Sequence, residues 1–189
     1  MKQLEDIIKK YQNLEEEIKM EFLSSFTEKE IRKGDFFISN NQYTSQIGFI
    51  KSGIFRVFYT DINGDDVNNV FLLDNDFIIG RLKPFSKVST SIQAIEKSTI
   101  LTADMNSIFE LIEKHHSISQ LFLKIASSYF DKNVDREIRL RKYDALNNYL
   151  FFMKDYPNLI NKIPHYYIAD YLQISSTHLS RIRKKLLKK

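Results

Sequence analysis

Apolar residues at Leu4, Ile7, Ile8, Tyr11, Leu14, Ile18 and Phe22 recur every three or four positions, which predicts a helix over residues 2–24. The pattern then shortens. "GDFFISN", "SQIGFIKSG", "IFRVFYTDINGDDVNNVFLL", "NDFIIG" and "STSIQAIEKSTILTAD" are runs rich in Ile, Val, Phe and Tyr. Turn signals separate them at Lys33-Gly34-Asp35, Ser52-Gly53, Asn63-Gly64-Asp65 and Asp74-Asn75-Asp76. Asn-Gly between two apolar runs is a strong local hairpin signal. Short strands at this spacing predict a β-sandwich or barrel over about residues 28–103.

After Asp104 the turn residues vanish. Asp104 is positioned to cap a helix through "MNSIFELIEKHH". Residues 117–156 contain no Gly or Pro. Ile118, Leu121, Phe122, Ile125 and Tyr129 share one helical face there, to pack on the β-region or to form a dimer seam. Asp144 restarts the pattern as a cap, and Pro157 ends it. A domain junction is placed within 138–143.

The C-terminal stretch divides in two. Pro164 suits the first turn of a helix, with Ile168, Tyr171 and Leu172 as its apolar face. Gln173-Ile174-Ser175 interrupts it, with Ile174 as a buried residue in the turn. Ser175 or Ser176 then caps a second helix with Leu179, Ile182, Leu186 and Leu187 on its apolar side. Small Ala169 allows close crossing. This is the helix-turn-helix pattern. The second helix offers Ser176, Thr177, His178, Ser180 and Arg181 in its first turns, where a recognition helix meets base edges. Arginine can bond both guanine acceptors. Arg183, Lys184, Lys185, Lys188 and Lys189 add attraction for phosphate. The plainer reading is an ordinary helical hairpin with a basic, solvated face.

Charge distribution adds to this. Residues 141–189 hold ten Lys and Arg against three Asp, a net +7, while the first 140 residues carry −3. That asymmetry points a polyanion toward the C-terminal part. The absence of cysteine excludes disulfides, thiolate metal sites, cysteine nucleophiles and cysteine-bound clusters, and suits a reducing cytoplasm. The charged N-terminus lacks the apolar core of a signal peptide, and no apolar run is long enough to span a membrane.

Taken together, these elements resemble the Crp/Fnr family, over nearly the whole chain. "KGDFFI" is similar to the family's opening strand, and "GFIKSGIFRVFY" to its inter-strand turn, with Gly53 as the glycine. "IPHYYIADYLQISSTHLSRIRKKL" resembles its helix-turn-helix, "LSRIRKKL" being the most specific part. The resemblance implies an α+β chain. A double-stranded β-helix (jelly roll) sensor occupies 1–116, a dimerisation helix 117–139, and a winged-helix-like helix-turn-helix domain 140–189. It implies a homodimeric transcription regulator in the cytoplasm. Its partners would be double-stranded DNA with a pseudo-palindromic operator, a second copy of itself, RNA polymerase and an unidentified small-molecule effector, with no membrane. Ser175, Ser176, Thr177, His178, Ser180, Arg181, Arg183, Lys184 and Lys185 are the DNA-binding candidates, with Ser176, Thr177 and Arg181 where the family reads bases. Because the chain ends after the second helix, a C-terminal wing of strands is not expected.

The effector region departs from the family. Cyclic-nucleotide binders carry Gly-Glu and then Arg-Ser around the phosphate, and here Gly80-Arg81 and Val88-Ser89 stand instead. The candidate pocket is Gly80, Arg81, Lys83, Val88, Ser89 and Thr90. Its cations, with Lys87, could hold an anion other than cyclic AMP or simply form a solvated loop. The sequence requires no cofactor. His115, His116, His165 and His178 leave haem ligands available, but none lies in the β-region, and no metal-ligand spacing accompanies them. Asp61, Asp65 and Asp66 read as a solvated turn. A cupin-like enzyme or binding protein, its basic helices bound to an acidic protein partner, is the competing class; its active site would need metal ligands that the strands lack.

Overall fold

The computed structural model describes residues 1–43, 45–80 and 87–187. Its first segment is two helices rather than one. α1 (Lys2–Tyr11) ends where Gln12 turns extended, and α2 (Glu16–Ser24) begins after Glu15. Asn13 is a weak helix former, and the break brings Lys19 of α2 to 2.9 Å from Glu5 of α1. Leu4, Ile8, Leu14, Phe22 and Leu23 are all buried by this arrangement.

Eight strands follow among the described residues: β1 (Thr27–Ile31), β2 (Phe36–Ile38), β3 (Gln46–Ser52), β4 (Phe55–Thr60), β5 (Asp66–Leu72), β6 (Phe77–Ile78), β7 (Ser91–Ala94) and β8 (Ser98–Asp104). They form two four-stranded sheets, ordered β1-β8-β3-β6 and β2-β7-β4-β5. β8 pairs antiparallel with both β1 and β3, with Phe49 opposite Leu101 and Ile50 opposite Ile100. Ile47, Phe49, Ile50, Phe55, Ile78, Ile92, Ile100 and Leu101 are almost wholly buried. Each such side chain contributes about 1.5–3 kcal/mol relative to exposure. β1 escapes the apolar pattern because four of its five residues are exposed.

The Asn63-Gly64 hairpin forms between β4 and β5. Gly64 takes φ 88°, and the Asp61 carboxylate accepts the Asn63 and Asp65 amides at 2.8 and 3.0 Å. Those amides hold Asp61 below the ordinary carboxylate pKa, so it serves the turn.

Seven helices occur among the described residues. Asp104 caps α3 (Met105–Lys114) by accepting the Asn106 and Ser107 amides. α4 (His116–Lys142) runs without interruption to Tyr143, and Asp144 then caps α5 (Ala145–Asp155) through the Asn147 amide. Asn148 is buried with its side-chain amide donating to the Tyr143 carbonyl, which fixes the break. α6 (His165–Tyr171) and α7 (Ser176–Leu187) complete the chain.

The protein divides into two compact units. One comprises Met1–Tyr59 with Phe71–Ser128, the other Thr60–Val70 with Tyr129–Lys189. The division falls inside α4. In the first unit Ile118, Leu121, Phe122 and Ile125 are buried, and Phe122 meets Phe22 edge-on at 6.2 Å. This corrects the dimer-seam reading of those four residues. They are core in a single protomer, and Tyr129 is half-buried. The exposed apolar residues of α4 are Leu123, Phe130, Val134 and Ile138.

Candidate nucleic-acid interface

α6 and α7 belong to the second unit and are joined by a tight turn. Pro164 stands one residue before α6, at its N-cap position with φ −57°, and its carbonyl accepts the Tyr167 amide. Ile168, Ala169, Tyr171 and Leu172 are buried. The turn is made by Gln173, whose φ of 55° lies in the left-handed region, and by the Ile174 amide donating to the Ala169 carbonyl at 3.0 Å. Ile174 is half-buried rather than buried.

Ser175 is the cap of α7: its hydroxyl accepts the His178 amide at 3.1 Å. Ser176 is thereby left exposed, together with Thr177, His178, Ser180, Arg181, Lys184 and Lys185. Leu179 and Ile182 hold the opposite side of the helix in the core. Leu186 is half-buried and Leu187 is 86 % exposed, so the apolar side is shorter than the sequence suggests. Two grooves flank α7. One is lined by His165, Ser176, Ser180, Arg183 and Lys184, the other by Asp144, His178, Arg181 and Lys185. Both carry cationic groups beside hydroxyl or imidazole donors, a combination suited to phosphate oxygens.

Arg183 differs from its neighbours. It is half-buried, its guanidinium lies against the His165 ring, and its charge acts on the buried Tyr149 phenol. It is therefore engaged in holding α7 to α6 and α5. Burial, then the Arg183 charge, depress the His165 pKa, while burial raises that of Tyr149. Lys188 falls outside the described residues, as does Lys189.

In the effector region, Val88 is 2 % exposed, Ser89 is exposed, and Gly80 and Thr90 are half-buried. Arg81 and Lys83 lie outside the described residues. Lys87 is exposed and sits 5.7 Å from the Tyr43 ring centre. No group of three or more metal-ligating side chains occurs among the described residues. Among those same residues, no helix is long and apolar enough to cross a membrane.

A set of interactions that sequence reading does not reach lies in the second unit. Asn68 of the hairpin arm donates to Asp170, Asn69 accepts from Arg136, and Arg136 in turn donates to the Tyr171 carbonyl. Nothing in their local sequence marks these residues, because the bonds join positions 35 to 102 apart.

Residues 28–115 match the cyclic nucleotide-binding domain family. Solved structures with the same architecture include FixK2 from Bradyrhizobium japonicum, at TM-score 0.77 and 14% identity over 86% of this chain and 85% of that one. A transcriptional regulator of the Crp/Fnr family from Eubacterium rectale superposes at TM-score 0.73 and 14% identity, covering 92% and 84% of the two chains. The c-di-GMP-responsive global regulator CLP of Xanthomonas campestris does so at 0.69 and 11%, covering 92% of each. At such identities the likeness is one of fold: an α+β architecture shared with Crp/Fnr-type regulators. No curated protein sequence matches the chain.

Proposed function

We propose that this protein is a sequence-specific, DNA-binding transcription regulator of the Crp/Fnr type that acts as a homodimer. The observation that carries the reading is α7. Its Ser175 cap and buried Leu179 and Ile182 leave Ser176, Thr177, Ser180 and Arg181 exposed on the first turns, with Lys184 and Lys185 beyond. In a major groove, Arg181 would bond the two acceptors of a guanine and the hydroxyls would meet base edges or phosphate. The lysines would supply salt-dependent, sequence-independent attraction. Arg183 is assigned to positioning.

The dimer seam is assigned to Leu123, Phe130, Val134 and Ile138, which recur at helical spacing on α4 and are 40–67 % exposed. Pairing would remove this stripe from water and carry two copies of α7 to successive grooves of a pseudo-palindromic site. RNA polymerase is the further partner that a regulator of this type would meet.

The effector is assigned to a class other than cyclic AMP. A buried cyclic phosphate needs a guanidinium or comparable donors, and the resemblance to the family sets Val88, which is buried, where that arginine would stand. Band-shift titration of genomic fragments at physiological salt, with mixed-sequence competitor DNA, tests the reading. Retention of particular fragments supports it, and uniform competition of every fragment counts against it.

A further inference from the structure

The hairpin arm Thr60–Val70 groups with the C-terminal unit, not with the sheet that the rest of β4 and β5 occupy. Its interactions are specific. Asn68, 1 % exposed, donates its side-chain amide to the Asp170 carboxylate at 2.9 Å. Asn69 accepts from Arg136 at 3.4 Å. The same guanidinium donates to the Tyr171 carbonyl at 2.8 Å and stacks 4.4 Å from the Tyr171 ring centre. Asp170 and Tyr171 are the last two residues of α6, and the left-handed turn at Gln173 follows directly. A buried amide on a carboxylate and a guanidinium on a carbonyl are charge-assisted bonds, the stronger kind.

We propose that the β4–β5 arm is a clamp that fixes the C-terminal end of α6 and so sets the direction in which α7 leaves the turn. Asn68 and Arg136 are positioning residues. The clamp ends on Asp170 and Tyr171, before the turn, and leaves Ser176, Thr177, Ser180 and Arg181 exposed. It therefore organises the reading helix rather than covering it. An arm that changes its hold on α6 changes the fraction of molecules ready to bind, and apparent affinity scales with that fraction. The regulatory role rests on the reading of α7 as a DNA-binding helix, whereas the clamp itself does not.

Asn68→Ala, Asp170→Ala and the double variant in the full chain test the proposal through two readouts. Hydrogen exchange followed by peptide mass spectrometry should show the arm and α6 exchanging on the order of tenfold faster in each single variant, with little further change in the double. Melting of the sheet domain should stay near wild type. Unchanged exchange in both single variants overturns the clamp. Fluorescence anisotropy on the best duplex selected from a random library should show about a tenfold loss of affinity in the single variants and no additive loss in the double. Faster exchange with unchanged affinity overturns the positioning role. Faster exchange with no selectable duplex for wild type upholds the clamp and overturns the DNA reading. Arg136→Gln supplies an independent perturbation should Asn68→Ala fail to fold, and should speed exchange at α6 alike.

Discussion

A Cβ placed on Gly53 would lie 2.9 Å from the backbone of Ser98 and 2.0 Å from its hydroxyl. Gly53 joins β3 to β4 with φ 132°, its amide donates to the Asp74 carboxylate at 2.8 Å, and β8 begins at Ser98. Two strands thus converge on a glycine for which no larger residue is available.

Gly53→Ala should destabilise the β-domain by on the order of 3 kcal/mol, combining overpacking with a backbone conformation that alanine resists. Urea unfolding followed by circular dichroism would register the loss. Ser98→Gly in the same chain should recover only part of it, because the positive φ and the crowding against the backbone of residue 98 remain.

The two sets of apolar residues on α4 should separate cleanly. Leu121→Ala removes a wholly buried side chain and should cost about 2–5 kcal/mol of stability without altering the association state of the folded fraction. Phe130→Glu, at a position 67 % exposed, should leave the melting of the monomer nearly unchanged and convert a dimer to monomer in sedimentation velocity. The opposite pattern would return the seam to the buried residues.

His165 gives the C-terminal unit a pH dependence with a defined sign. Its folded pKa is depressed, by burial first and by Arg183 second. The unfolded chain therefore takes up a proton at a higher pH than the folded one. The stability associated with this group is full above the ordinary imidazole pKa of about 6.5 and is lost as pH falls through the folded value. His165→Gln should flatten that part of the profile in thermal melts between about pH 7.5 and 5, a range centred on the imidazole pKa. An unchanged slope would mean that His165 is not its source.

Much of this molecule is legible in its sequence. Asn63-Gly64 forms the hairpin, Asp104 and Asp144 cap α3 and α5, and α6 is followed by the turn and α7. In each case the chemistry is local: a side chain meets a backbone amide within three residues, or a residue tolerates a left-handed turn. What the sequence concealed depends on the third dimension. The spacing of Ile118 through Ile125 suits a seam and a core alike, because periodicity identifies an apolar face without its occupant. β1 hid behind a polar surface, and the helix over 2–24 broke to bury Leu14 and seat Lys19 against Glu5. Arg183 carries the same charge as its basic neighbours, and only the fold sets His165 and Tyr149 beside it.

The central claim is that α7 reads DNA, and selection from a random double-stranded library by the full chain, followed by sequencing, tests it most directly. Wild type should enrich one pseudo-palindrome with half-sites about one helical turn apart, or a multiple of it. Arg181→Ala should lose discrimination at a guanine in each half-site by about 1–3 kcal/mol, whereas Lys184→Ala should weaken all duplexes alike and flatten the salt dependence. A library that emerges unenriched from wild type, or identically enriched from wild type and Arg181→Ala, would contradict the account.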